Sequence, residues 1–276
     1  MRKRTIGILV LVALVGVVAL IAQTNGDADP IGTETLQSPY QDGEELVYVG
    51  KYRPFLLSFT IADLGFKVSK IGDSEHYFVE SKATSRGTLT KLFSFSFLQK
   101  IDSTIDGDKL QVLKTKKLDD QGKRVRESEA VFDYEDQQVT YVETDPKDPA
   151  RPPRNVASPI GPNTQDVVSA VYMLRTVPLA VGKTFIFKIS DSGLVYDVPV
   201  KVTARERKKS KIGKRWCWRI EPDIFGEGRF IEQKGSLTIW ITDDAQRIPV
   251  FAKLKTKLGK VEIKLEKLKN GADASD

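Results

Sequence analysis

The chain has 276 residues and a net charge of +6, with 40% hydrophobic and 29% charged residues. This composition is typical of a globular protein and excludes collagen-like repeats and extensive disorder. A single cysteine, Cys217, and a single histidine, His76, exclude a disulfide framework and a cysteine-built metal site. We therefore predict a protein that needs no cofactor and is not an enzyme.

The N-terminus carries an export signal. Three basic residues, Arg2, Lys3 and Arg4, precede an uncharged apolar run over residues 5–22. Such a pattern directs export, with the positive end left in the cytoplasm. The run is long for a signal peptide and close to the length that spans a bilayer, so a cleaved signal and a retained signal-anchor both stay open. No cysteine lies near the end of the run, which excludes a lipoprotein.

These features predict four segments in a periplasmic protein, either soluble after cleavage or anchored in the inner membrane by residues 5–22. Residues 1–22 are the signal peptide or signal-anchor. Residues 23–42, rich in small and polar residues, form a flexible tether. A single exported β-domain covers residues 43–268, and residues 269–276 form a disordered tail.

Strand patterns dominate the predicted domain. Apolar and polar residues alternate over 93–97, 252–258 and 261–266, which is the period of a strand with one buried face. More than ten such segments are separated by short turns rich in Asp and Gly. We predict a mainly β fold, an antiparallel sheet curled into a barrel or half-barrel.

One amphipathic helix is predicted after a proline-rich loop. Six prolines lie between positions 146 and 162, where they disfavour both helix and central strand. Asn163 or Thr164 can cap a helix of about three turns, which Pro178 ends. Its predicted buried stripe contains Val167, Val171 and Leu174, with Gln165 exposed.

The strongest charge feature lies in residues 205–215, where seven basic residues accompany one acidic residue, Glu206. This segment is either a solvated hairpin tip or a docking patch for anionic lipid headgroups or an acidic partner. The overall charge excess is too small for a nucleic-acid-binding protein. The candidate docking residues are Arg205, Arg207, Lys208, Lys209, Lys211, Lys214 and Arg215.

Aromatic residues form a second candidate feature. They either fill the core or line a cavity for an apolar ligand inside an open barrel. The residues concerned are Phe93, Phe95, Phe97, Trp216 and Trp218.

Several segments together resemble a bacterial family of exported proteins, domain of unknown function 3108. They are GEELVY at 43–48, DVVSAVYMLR at 166–175, and GSLTIWITDD at 235–244 with RIPV at 247–250. The resemblance extends over roughly residues 41–268. It implies a mostly antiparallel, barrel-like sheet and an envelope location, and it brings no assigned activity.

The leading hypothesis is a non-enzymatic exported cell-envelope protein that binds lipid or another apolar envelope molecule, with a membrane surface as its partner. A first alternative is a hydrolase of an envelope polymer, with Glu227 or Asp243 as candidate carboxylates. This hydrolase needs two carboxylates about 5–10 Å apart in a cleft. A second alternative is a protein-interaction module that uses an exposed sheet edge.

Overall fold

The structure is a computed structural model that describes residues 38–54, 56–227, 230–231, 234–256 and 259–270. The first eight strands are β1 (Glu45–Arg53), β2 (Phe59–Lys70), β3 (His76–Ser85), β4 (Leu98–Asp106), β5 (Gln111–Gln121), β6 (Arg124–Asp133), β7 (Gln138–Thr144) and β8 (Arg154–Pro159). The others are β9 (Gln165–Asp166), β10 (Thr184–Asp191), β11 (Leu194–Ser210), β12 (Gly213–Pro222), β13 (Gly235–Thr242), β14 (Pro249–Thr256) and β15 (Gly259–Lys269). Two short helices accompany them, α1 (Gly87–Phe93) and α2 (Val167–Met173).

All of these strands belong to one sheet, in the order β8-β7-β6-β5-β4-β3-β2-β1-β15-β14-β13-β12-β11-β10-β9. Neighbours run antiparallel except β9 and β10, which are parallel. The first and last strands pair with each other in the middle of the sheet. The predicted curled antiparallel sheet is therefore confirmed, and the ladder is open between β8 and β9.

Alternation along the strands builds the core. In β3, for example, Val79 and Ala83 are buried, whereas Glu80 and Lys82 between them are exposed. Every second side chain of a strand points to the same face, so such a pattern buries one face of the sheet. Buried residues from β1, β2 and β13–β15 form one apolar cluster, and those from β10–β13 and the α2 region form another.

Side chains, rather than a strand ladder, close the gap in the sheet. We call this contact between β5–β8 and β9–β11 the seam. Ser158 Oγ donates to the carbonyl of Gly193 at 2.7 Å, and Lys117 Nζ lies 3.0 Å from Asp191 Oδ1. Gly193 has a φ of +81°, and a Cβ there would lie 2.7 Å from side-chain atoms of Tyr141 and Val156. Glycine is therefore required where the two sides approach.

The predicted helix exists, but its start, length and buried face differ from the prediction. Asp166 caps the seven-residue helix α2, and the stripe of Val167 and Val171 is only half-buried. Leu174 is buried as predicted, and Val168, Tyr172 and Met173 are buried with it.

Gln165, predicted to be exposed, is 1% exposed. It belongs to β9, pairs with β10, and donates from Nε2 to the carbonyl of Leu110 at 2.9 Å.

The alternation over residues 93–97 does not produce the predicted strand. Phe93 is the last residue of α1, and Ser94 has a left-handed backbone with a φ of 52°. This conformation breaks the extended period, and β4 begins only at Leu98. Phe97 is buried in the core cluster of β1 and β2, and Phe93 and Phe95 pack partly against it.

The signal peptide or anchor, and most of the predicted tether, lie outside the described residues, as does the tail from residue 271. Residues 38–42, the last part of the predicted tether, pack against the domain. Tyr40 among them is buried between Tyr77 and Tyr172. Within the part of the chain that the structure describes, no helix has the length and apolar character needed to cross a membrane.

Candidate functional site

The basic segment predicted as a hairpin tip is mostly strand. β11 continues to Ser210 and β12 starts at Gly213, so the turn contains only Lys211 and Ile212. β12 pairs with β13 only from Cys217 to Ile220. Residues on either side of the turn therefore form a two-stranded arm that extends past the end of β13. We call residues 205–216 the arm.

One face of the arm is held against the sheet. Glu206 accepts a hydrogen bond from Trp240 Nε1. Lys208 Nζ lies 3.7 Å from the ring centroid of Trp240 and 4.3 Å from that of Phe251. At the turn, Lys211 Nζ lies 3.4 Å from Glu266 Oε2 on β15. Burial lowers the pKa of Lys208. Cation–π and ionic contacts thus fix the arm over β13–β15.

The other face of the arm points to solvent and carries the remaining basic side chains. Arg205 Cζ lies 4.7 Å from the Trp216 ring centroid, and Arg207 Cζ lies 5.3 Å from it. Trp216 is nevertheless 43% exposed. Strand alternation places Lys209 and its partner Lys214 on this same side. We define Arg205, Arg207, Lys209, Lys214 and Trp216 as the hairpin face.

The structure thus divides the predicted docking residues. Four of the seven lie on the hairpin face, and Lys208 lies on the opposite face. Lys211 is engaged with Glu266, and Arg215 donates from Nε to the carbonyl of Ile212 at 3.2 Å. Within the hairpin face, Arg205 also pairs with Asp243 at 2.6 Å. The sequence identified the charge, but only the strand register assigns it to a face.

A small cavity with both apolar and polar side chains in its walls lies at the seam. Its volume is about 30 Å³, and its walls include Thr115, Lys117, Tyr141, Asp166 and Asp191. That volume and those walls fit one or two water molecules. Burial disfavours the charged form of Lys117, yet Asp191 raises its pKa above the ordinary value.

Asp166 is the centre of this polar group. It is 2% exposed and accepts hydrogen bonds from Ser103 Oγ, from Thr115 Oγ1 at 2.6 Å and from the Ser169 amide at 2.7 Å. Ser103 and Thr115 lie more than 50 positions away on two strands, so no local pattern shows these two partners.

A broader groove of about 580 Å³ lies on the outer face of β4–β7. Its charges have both signs, as in the pair Lys116–Glu129 at 3.8 Å, with Lys100 and Asp102 also in the wall. This groove therefore offers no field of a single sign. None of the five aromatic residues predicted as a cavity lining contributes to this groove or to the seam cavity.

Asp243 and Glu227, the candidate hydrolase carboxylates, have no contact partner in common among the described residues. Asp243 is engaged by Arg205, and Glu227 is exposed in the segment between β12 and β13. Among the described residues, no three His, Cys, Asp or Glu side chains form a group that could hold a metal ion.

Cys217 is expected to be unreactive in the folded protein. It is buried, and burial raises the pKa of its thiol to about 11, so little thiolate exists at pH 8. Alkylation by iodoacetamide at pH 8, followed by mass spectrometry, should be roughly 100-fold slower than in guanidinium, since two pKa units alone give that factor. Comparable rates in the two conditions would instead indicate an accessible thiol.

Comparisons with known proteins support the fold. A family model described as "Protein of unknown function (DUF3108)" matches residues 47–266. A crystal structure of a β-barrel-like protein of the DUF1849 domain from Brucella abortus is similar, with a TM-score of 0.58 and 12% identity, covering 84% of this chain and 98% of that one. A Bacteroides fragilis protein with a YmcC-like fold gives a TM-score of 0.35 and 9% identity, covering 85% and 99%. No curated protein matches the chain.

Proposed function

The chain belongs to the DUF3108 family of proteins of unknown function, and we propose that it is a non-enzymatic cell-envelope protein that binds anionic lipid headgroups through its hairpin face. The observation that carries this proposal is the exposed Trp216 ring, which lies between Arg205 and Arg207 on a face that also bears Lys209 and Lys214. Tryptophan favours the headgroup level of a bilayer, where its apolar ring and polar N–H both find partners.

The chemistry of this face suits a phosphate-bearing surface. Arginine presents a planar fork of donors that matches a phosphate oxygen pair, and lysine adds a point charge. Each basic residue near an anionic membrane contributes about 1 kcal/mol. Asp243 offsets part of the Arg205 charge, so Arg207, Lys209 and Lys214 supply most of the attraction.

The rigidity of the arm also supports the proposal. Contacts from Glu206, Lys208 and Lys211 hold the opposite face on the sheet. A preorganised face loses less conformational entropy on binding than a free loop does. A solvated hairpin tip has no need of these contacts.

The test replaces Arg207, Lys209 and Lys214 together with Ser. Co-sedimentation of the chain lacking residues 1–30 with anionic vesicles should then show binding about 100-fold weaker, because about 3 kcal/mol of attraction is lost. Binding of the unaltered chain should fall as salt rises, since charges on a surface are screened over about 8 Å at physiological ionic strength. Circular dichroism checks that each variant retains its β-sheet.

The matched control replaces Lys82, Lys91 and Lys123 with Ser. These three lysines are exposed on other parts of the domain, and the change in net charge is the same. This control should bind nearly as well as the unaltered chain. Equal losses in both variants would mean that net charge alone drives binding, and equal binding to neutral vesicles would refute an electrostatic surface.

A further inference from the structure

Resting on the proposed function, and on retention of residues 5–22 as a signal-anchor, which is one of the two fates that the sequence leaves open, we infer that the bilayer bound by the hairpin face is the one that residues 5–22 enter. One chain would then hold the same membrane at two places, through its apolar N-terminal segment and through the arm. The hairpin face therefore binds the anionic headgroups of the membrane that holds the chain's own N-terminal segment. It does not bind a second, separate membrane.

Strand topology places both attachment points at one rim of the sheet. Antiparallel order from β1 through β15, β14, β13 and β12 to β11 brings the start of β1 to the same side as the end of β13 and the end of β11. The pair Cys217–Thr242 ties β12 to that end of β13. β12 starts four residues before Cys217, so the arm lies at this side, which we call the entry rim, and its turn reaches across to Glu266 near the end of β15.

The chain is fixed to the entry rim from Pro39 onward. Arg175 Nη1 donates to the Pro39 carbonyl at 3.3 Å, and Tyr40 stacks on Tyr172 with 5.0 Å between ring centroids. The amide of Gly43 then donates to the Val68 carbonyl at 3.0 Å, just before β1 begins. The point at which the N-terminal segment leaves the domain is therefore defined.

Further contacts connect this exit point to the base of the arm. Arg247 donates to the carbonyl of Val177, four residues after the end of α2. Asp243, in the same turn as Arg247, pairs with Arg205 on the arm. The exit of the chain and the hairpin face thus belong to one continuous packed unit, and they move together.

Chain length limits the distance between the two attachments. Residues 23–37 separate the apolar run from the fixed segment. A chain of that length spans at most about 55 Å, and about 20 Å on average if it is flexible. Strands of nine to twelve residues hold the two rims about 30 Å apart. A connection this short raises the effective concentration of the hairpin face at its own membrane into the millimolar range.

The charges of the entry rim indicate how the domain tilts on the membrane. The turns that follow β2 and β6 on this rim are acidic, with Asp73 and Asp136 exposed. An anionic surface repels these turns and attracts the arm. The domain therefore leans on the arm and keeps the acidic turns away from the membrane.

The test compares two hairpin turns at opposite rims of the full chain. With Cys217→Ala as background, a fluorophore is placed on Lys211→Cys in the arm or on Lys123→Cys beyond β5. Lys211→Cys gives up the contact with Glu266 but leaves the Glu206 and Lys208 contacts that also hold the arm. The full chain is reconstituted into anionic vesicles that contain a headgroup-attached quencher. Quenching at position 211 should exceed that at 123 at least about two-fold, and the difference should shrink in 1 M salt, where screening acts over about 3 Å.

The outcomes separate this inference from the proposed function. Equal quenching at the two positions, stronger quenching at 123, or failure of the full chain to float with vesicles would overturn the inference. If the chain lacking residues 1–30 still binds added anionic vesicles in that case, the proposed function stands and only the cis arrangement fails. If that chain does not bind either, both are wrong.

Discussion

Replacing Glu44 with Gln is expected to lower the free energy of unfolding by about 3–5 kcal/mol, because the change leaves a buried guanidinium without its counter-ion. Glu44 and Arg175 form a two-pronged pair, with Nη1–Oε2 at 2.8 Å and Nη2–Oε1 at 3.0 Å. Both side chains are almost fully buried, and the Arg175 guanidinium also lies 4.6 Å from the Tyr172 ring centroid. Urea denaturation, with an unchanged slope, measures the loss.

The neighbouring residue supplies the matched control. Glu45 pairs with Lys267 at 3.1 Å, but both side chains are well exposed. Surface pairs of this kind contribute at most about 1 kcal/mol, so Glu45→Gln should have little effect. Similar small losses for Glu44→Gln and Glu45→Gln would show that solvent reaches the inner pair.

Replacing Asp166 with Ala should destabilise the domain by about 3–5 kcal/mol. The cap of α2 contributes about 1–2 kcal/mol, and the buried Ser103 hydroxyl would lose its acceptor at about 1–3 kcal/mol, whereas the half-buried Thr115 hydroxyl adds less. Denaturant unfolding gives the magnitude. Hydrogen exchange should localise the loosening to α2, β4 and β5 before the rest of the sheet opens.

Asp197→Ala is the control for this second change. Asp197 pairs with Lys188 at 2.7 Å, and its side chain is 59% exposed, so its loss should cost less than about 1 kcal/mol. Asp166→Asn, which keeps a capping oxygen, should fall between the two. If Asp166→Ala were as mild as Asp197→Ala, the seam would not depend on this carboxylate.

The strands were predictable because they carry their own signal. Where one face is buried, as in β3 and β15, apolar residues recur at every second position, and a turn residue ends the run. The same logic failed at residues 93–97, because alternation of Phe and Ser cannot reveal that Ser94 adopts a left-handed backbone. It failed again at Gln165, which pairs with β10 and donates to the carbonyl of Leu110 just before β5, contacts that helical periodicity does not show.

The charge of the candidate site was predictable from the sequence, but its geometry was not. Seven basic residues within eleven positions were evident in the sequence, together with Trp216 and Trp218. Which of them point outward depends on the irregular register between Val202 and Ala204, and on contacts with Trp240 and Phe251 from later strands. Such long-range contacts cannot be predicted from a local sequence pattern.

The pairing of β1 with β15 has a consequence for how the chain folds. β1–β8 follow one another in sheet order, as do β10–β15, so most pairings can form between neighbours in sequence as simple hairpins. Glu45 opposite Lys269, by contrast, closes a loop that contains nearly the whole domain. Closure of long loops is entropically costly and slows folding. The antiparallel runs β1–β8 and β10–β15 can therefore form independently of each other. The pairing that joins them depends on β15, the last of these strands to be synthesised.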